Sequence, residues 1–455
     1  MVAPSTRDSE APDHPSFLEA LKVWARIGLL SFGGPAGQIA LMHRTLVEEK
    51  RWISERRFLH ALNYCMLLPG PEAMQLATYV GWLLHGTRGG IVAGALFVLP
   101  GFLCIVVLAA TYAMFQSSDV LASLFFGLKA AILAIVVEAV LRIGKRALTT
   151  PFNRLVALFA FLALFAFSVP FPVVVLSAGL AGYIAARWRP DMIATKAPIG
   201  DESAVIQDGP EDRRGAGWAR AGRILLIWGG LWAAPLLLIL PLAGPANVWT
   251  SIMGFFSQMA VVSFGGAYAV LAYVAQQAVE TYGWLAPGEM LDGLALAETT
   301  PGPLVLVLTY VGFLAAFREA GGLDPLLSGV LGAGLATWVT FIPCFLWIFL
   351  GAPHIERLRS SPALAGALAT ITAAVVGVIL NLAIWFALHV IFAEVGTASF
   401  GPISMPLPAL ETLDPLALAL GIIAAMTLFL YKLGLLPTLA ICGGLGLLLG
   451  ALGFI

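Results

Sequence analysis

Apolar positions in this chain come in long unbroken runs, without the strict alternation of a half-buried strand or the three-and-four spacing of a soluble amphipathic helix. Runs near 91–114, 120–143, 155–169 and 172–187 fill the first half. Others near 224–242, 326–350, 362–390, 415–431 and 434–453 fill the second. Most match the roughly 20 residues that a helix needs to cross hydrocarbon. A closed barrel is excluded, because its strands would alternate lipid-facing and lumen-facing residues. Helices then remain as the spanning structure that satisfies its own backbone in lipid. The polar stretch from Arg187 to Arg223 shows no periodicity, contains Gly209-Pro210-Glu211-Asp212-Arg213-Arg214, and reads as a linker.

Two early elements differ in kind. Residues 17–44 carry Glu19, Lys22 and Arg26 and are interrupted by Phe32-Gly33-Gly34-Pro35, and residues 58–84 are interrupted by Pro69-Gly70-Pro71. Each is too long for one straight span and has its breaker near the centre. Half-helices that dip into the bilayer and return to the same side fit that pattern. Both interruptions recur. Ser31-Phe32-Gly33-Gly34, Trp52 and Pro69-Gly70-Pro71 reappear 232 positions later as Ser263-Phe264-Gly265-Gly266, Trp284 and Pro301-Gly302-Pro303. Thr78–Gly81 and Thr309–Gly312 follow as the same tetrapeptide. Farther along, Leu99-Pro100 matches Ile342-Pro343 and Lys129-Ala130-Ala131 matches Thr372-Ala373-Ala374, both at a displacement of 243. On that register Glu138 corresponds to Asn381 and Arg142 to Trp385. Pro172 and Gly179 match Pro437 and Gly444. The chain is thus a repeat, and repeats with helix breakers at matched positions are the signature of transporter binding sites.

Loop charge orients the halves. With both early elements re-entrant, Arg44, Lys50, Arg51, Arg56, Arg57, Arg88, Lys145, Arg146, Arg154 and the linker share one side, cytoplasmic by the positive-inside rule. The helix at 224–242 adds one crossing. The second repeat therefore starts on the opposite face, where the loop holding Gln276, Gln277, Glu280 and Glu289 and the loop 391–414 have no Lys or Arg. His354–Arg359 and Lys432 fall inside. The expected architecture is an all-α polytopic membrane protein of two homologous halves in inverted orientation. Its parts are a cytoplasmic tail 1–16, a first repeat 17–188, a linker 189–223, a connecting helix 224–242 and a second repeat 243–455. The N-terminus lies inside, with no signal-peptide pattern, and the C-terminus outside.

Composition agrees: 60% of the 455 residues are hydrophobic and 11% charged, less than half the charge of a soluble domain, about 25%. The four cysteines are scattered through apolar runs with no metal or disulfide spacing, and the histidines show no ligand pairs. No metal or cofactor is expected, and neither a Walker A sequence nor an HExxH or GxSxG centre occurs. The lipid bilayer is the surroundings, nucleic acid is not a partner, and a homodimer remains open.

The chemistry gathers at the breaks. A half-helix ending inside the membrane offers unpaired N–H groups and the positive end of its dipole to an anion. Ser31, Phe32, Gly33, Gly34, Gln38, Pro69, Gly70, Pro71 and Gln75 are therefore the substrate-binding candidates of the first half. Ser263, Gly265, Gly266, Thr299, Thr300, Pro301, Gly302 and Pro303 are those of the second. The alternative is that such glycines and prolines are packing notches and kinks. Lys129, deep in its run, could attract an anion, whereas Arg142 fits an i,i+4 ion pair with Glu138 at the helix end. A carboxyl at membrane depth can exchange a proton during a transport cycle, which makes Glu72, Glu138 and Glu298 the proton-coupling candidates. Glu72 and Glu298 could instead cap half-helix ends.

The stretches Ser31–Gln38, Leu68–Gln75 with Thr78–Gly81, Ser263–Gly266 and Thr299–Leu304 resemble the chromate ion transporter family in its long, two-domain form. The resemblance implies export of chromate across the bacterial plasma membrane, coupled to protons, with sulfate as a competing oxyanion and chromate resistance as the outcome. Transport of sulfate or another small anion is the alternative within transport. A polytopic membrane enzyme or sensor is the alternative outside it, though enzymes of that kind place His or Asp clusters at one membrane face and none is seen.

Overall fold

The computed structural model describes residues 14–116, 118–189, 217–244, 246–264, 267–352, 361–401 and 403–455. The loop His354–Arg359 and most of the linker lie outside these residues. The first half opens with α1 (Phe17–Leu30) and α2 (Gly34–His43), the latter continued by a π turn, Arg44–Glu49. α3 (Glu55–Cys65) and α4 (Glu72–Phe115) follow, and α4 is in truth two helices meeting at His85 and Gly86. α5 (Asp119–Ala147), α6 (Pro151–Phe165) and α7 (Phe171–Trp188) complete the half. α8 (Trp218–Ile224) runs through a π turn into α9 (Gly230–Ala243), so the connecting helix starts at Trp218 and not at 224.

The second half repeats the plan. α10 (Val248–Val262) and α11 (Ala267–Gln276) match α1 and α2, and α12 (Pro287–Thr299) and α13 (Val307–Arg318) match α3 and the start of α4. α14 (Pro325–Gly351), α15 (Pro362–Ile391), α16 (Pro415–Ala425) and α17 (Leu435–Ala451) follow. Among the described residues six helical stretches are long and apolar enough to cross a membrane by length and composition, 72–115, 218–241 and 362–391 being three of them. The loop expected at 391–414 instead holds a two-stranded antiparallel hairpin, β1 (Val395–Phe400) with β2 (Ile403–Pro408), in the register Val395–Pro408 to Phe400–Ile403. Its strands contain Gly396, Pro406 and Pro408, residues that weaken any strand prediction.

The early elements are re-entrant. α1 descends and α2 returns, because Lys50, just past the π turn, pairs at 2.9 Å with Glu19 in the first turn of α1. The second hairpin closes on the same face: His43 pairs with Glu55 at the start of α3, and His85, where the first part of α4 ends, lies 3.0 Å from the Pro15 carbonyl. In the second half Arg318, ending α13, donates at 3.0 Å to Glu289 in the first turn of α12.

The two mouths lie on opposite faces. From the kink at His85–Gly86, α4 runs on to Tyr112, a rise of about 38 Å at 1.5 Å per residue. There the Tyr112 hydroxyl donates to Asp292 Oδ2 at 2.9 Å, close to the Glu289–Arg318 mouth. The halves are therefore inverted. We call the face with the Lys50–Glu19 pair the near face and the other the far face. The halves also exchange partners: α5 packs on α16 and α17, while α15 packs on α6 and α7. Even the tight crossings repeat, since a Cβ on Gly81 would lie 2.5 Å from the Gly89 carbonyl oxygen and one on Gly312 2.8 Å from that of Gly332.

Candidate substrate site

At the centre the four breaks interlock. The Gly70 N–H donates to the Ser263 carbonyl at 3.0 Å, and the Gly302 N–H donates to the Ser31 carbonyl at 2.8 Å. These bonds are each other's images in the repeat, so each Pro-Gly-Pro turn of one half is fastened to the Ser-Phe-Gly-Gly break of the other. Left-handed backbone at Gly70 (φ 117°) and Gly302 (φ 94°) lets the amides turn inward, a conformation glycine adopts at little cost. Gln38 reinforces one crossing, donating to the Gly302 carbonyl at 2.6 Å, while Gln75 donates to the Pro69 carbonyl within its own turn at 2.7 Å. Their Oε1 atoms are buried without a hydrogen-bond partner. The repeat counterparts of these glutamines are Val270 and Val307, so the polar inner surface belongs mainly to one half.

Several candidates spend their polar groups locally. The hydroxyls of Ser31 and Thr300 donate to backbone carbonyls of Ile27 and Ala297, and those of Thr299 and Ser263 do the same within their helices. Pro71 and Pro303 cap the helical turns that begin at Glu72 and Leu304, and the Pro301 carbonyl lies against Gly101. Gly265 and Gly266 lie outside the described residues. Phe32 ends the α1 side of its break. Gly33 and Gly34 take φ values of 84° and 68°, and nothing lies within 4 Å of where either Cβ would stand. This is the open break.

It opens toward the near face. A cavity of about 380 Å³ lies between α2 and α5, lined by Pro35, Ala36, Gly70, Glu72, Arg142 and Arg146 among others. A second, of about 260 Å³, shares Arg142 and Tyr268 with it and reaches Gly33, Glu138 and Lys432. The N-terminal turns of α2, α4 and α11 all contribute lining residues, and a helix N-terminus carries the positive end of its dipole. Arg142 and Arg146 add fixed charge. Glu138 pairs with Arg142 at 3.6 Å, as the i,i+4 spacing suggests. The Tyr268 hydroxyl donates at 2.8 Å to Glu298 Oε1, whose partner oxygen Oε2 is buried and unpartnered. Tyr268 thereby links the vestibule to a buried carboxyl.

Lys129 is not part of this assembly. It pairs with Asp292 at 3.3 Å in a separate far-side cavity with Tyr112 and Glu289, so its charge is already answered. Tyr268, Arg146 and Asp292 were missed as site residues. Tyr268 carries a readable signal, polarity present in one repeat alone, since its counterpart is Ala36, whereas Asp292 stands opposite another polar residue, His60. Among the described residues no group of His, Cys, Asp and Glu could hold a metal ion.

This geometry agrees with what the chain is similar to. The chromate transporter family model matches residues 18–183 and again 250–448, one match per half. The chain belongs to the chromate transporter family. It is 31% identical to a chromate transport protein of Pseudomonas aeruginosa, over 81% of this chain and 80% of the relative. It is 30% identical to one from Cupriavidus metallidurans, over 78% of each, and 28% identical to a probable chromate transport protein of Synechococcus elongatus, over 82% and 85%. No solved structure matches the chain. It is a multi-pass membrane transporter, in agreement with the names of its relatives, chromate transport proteins.

Proposed function

We propose that the chain exports chromate, taking the dianion from the cytoplasm through the near-face vestibule to the crossed breaks. The observation that carries this reading is the convergence of three half-helix N-termini, Arg142, Arg146 and the open backbone at Gly33 on two adjoining cavities that share Arg142 and Tyr268. Amide N–H groups and guanidinium forks suit a tetrahedral oxyanion. Sulfate has the same charge and shape and is expected to compete.

The near face is cytoplasmic on this reading. Its hairpin mouths hold Arg44, Lys50, Arg51, Arg56 and Arg57, whereas Arg318 is the sole Lys or Arg between residues 243 and 325. A membrane negative inside then favours exit by about 2.3 kcal/mol per charge per 100 mV, roughly twice that for a dianion. Proton exchange for uphill export is assigned to Glu298, which the Tyr268 hydroxyl connects to the vestibule, with Glu72 and Glu138 as the carboxyls inside it. Cells expressing the chain should accumulate less chromate and survive higher concentrations than cells with an empty vector. Equal accumulation despite confirmed membrane expression rejects export.

A further inference from the structure

The near-face vestibule has an image. Through the repeat, Glu138, Arg142 and Arg146 of α5 correspond to Asn381, Trp385 and His389 of α15, all at a displacement of 243. Those three residues line a cavity of about 420 Å³ on the far side, between α11 and α15, roofed by Val395–Thr397 and Ser404–Pro406 of the β-hairpin. The hairpin is anchored there by the Ser404 N–H, which donates at 2.8 Å to the Ala166 carbonyl. Trp385 and His389 are in register as one unit: their ring centroids are 4.2 Å apart and His389 Nδ1 is 2.8 Å from the Trp385 carbonyl.

The two cavities differ in depth. On the near side the cavity separates α2 from α5 and reaches Gly70, whereas on the far side α11 packs against α15 and no break residue among those described lines the space. The near-face cavity is therefore the one that reaches the breaks in this conformation. Exchanging the conformations of the halves produces the other, with α11 parted from α15. The surface then presented to the anion is that of Asn381, Trp385 and His389. Two arginines and a carboxylate on one side are answered by an amide, an indole and an imidazole on the other.

We propose that Trp385 and His389 form a second oxyanion vestibule, the far-face counterpart of Arg142 and Arg146, which holds the anion more weakly and releases it. The inference rests on the transport reading above. It follows that the carrier's affinity is unequal at its two faces because of these positions, not because of the shared breaks.

The test measures half-saturating chromate in everted and right-side-out vesicles, which offer the anion to opposite faces. The far-face to near-face ratio should exceed one in the parent. In the Trp385→Arg, His389→Arg double variant the ratio should fall by at least about tenfold, because two added charges within about 10 Å of a dianion suffice for that even at the dielectric of bulk water. A parent ratio of one, or an unchanged ratio in the variant, overturns the inference. Should the double variant fail to reach the membrane, Trp385→Cys in a cysteine-free background serves instead. Modification from the far face by a cationic thiol reagent should lower far-face half-saturation, and an anionic reagent should raise it; equal effects overturn the proposal. Arg142→Gln with Arg146→Gln separates the two claims. If near-face half-saturation is unmoved there, the vestibule reading itself fails; if it rises while the far-face variants do nothing, only the present inference fails.

Discussion

Gly70→Ala should cost more stability than Gly33→Ala, although both residues sit at repeat-defining breaks with positive φ. A Cβ on Gly70 would stand 2.8 Å from Gln75 Nε2 and 2.9 Å from Cys344 Sγ. Neither neighbour can retreat freely, because the Gln75 amide is buried and bonded to the Pro69 carbonyl, and Cys344 is buried in α14. Left-handed backbone costs a non-glycine residue about 1–2 kcal/mol, and overpacking a tight site adds about 1–3, for a total of about 2–5 kcal/mol. At Gly33 nothing lies within 4 Å, so the backbone term of about 1–2 kcal/mol stands alone. The assay is the heating midpoint of detergent-solubilised protein, read from the surviving monodisperse peak on gel filtration. Gly70→Ala should melt several degrees below Gly33→Ala. Adding Cys344→Gly, which copies Gly101 at the matching position, should recover part of the loss. A Gly70→Ala midpoint equal to or above that of Gly33→Ala would refute the crossed-break packing.

Bulkier replacements separate fold from transport: Gly33→Val and Gly34→Val should insert normally yet lose chromate transport, and normal transport in both would make the open break a packing feature. Asp292→Asn or Lys129→Met alone should destabilise by about 3–5 kcal/mol if the pair behaves as fully buried, and less to the extent that Lys129 is solvated, with the double variant recovering most of it in thermal melts. In a cysteine-free background, Glu280→Cys should react with an impermeant thiol reagent in intact cells and Glu49→Cys only after permeabilisation; labelling of Glu49→Cys from outside contradicts the orientation. Tyr268→Phe should leave chromate binding in place but reduce stimulation of transport by an imposed pH gradient, and undiminished stimulation removes Glu298 and its tyrosine from the proton route.

Much of the architecture was legible because helix breakers announce themselves. Gly33, Gly70, Gly302 and their prolines stand out against apolar surroundings, and the 232-residue displacement ties them into a repeat before any coordinate is known. Loop charge then supplied the expected sidedness, which the thiol-labelling experiment checks. The β-hairpin was hidden because Gly396, Pro406 and Pro408 resemble loop residues and its pairing depends on the surface beneath it. Lys129 looked like a free cation, since Asp292 is remote in sequence and only the packing of α12 on α5 brings them together. Gln38 was readable as polar at depth, but its use in fastening Gly302 was not. Arg146 resembled an ordinary cytoplasmic-end arginine until the gap between α2 and α5 gave it a cavity to face.

The central claim is tested most directly by chromate flux in proteoliposomes made with purified protein. With an inside-negative potential applied by a potassium gradient, preloaded chromate should leave protein-containing vesicles faster than empty ones, with sulfate slowing the efflux and Arg142→Gln with Arg146→Gln reducing it. Efflux no faster than from empty vesicles, from protein that elutes as a single folded species, would contradict the account.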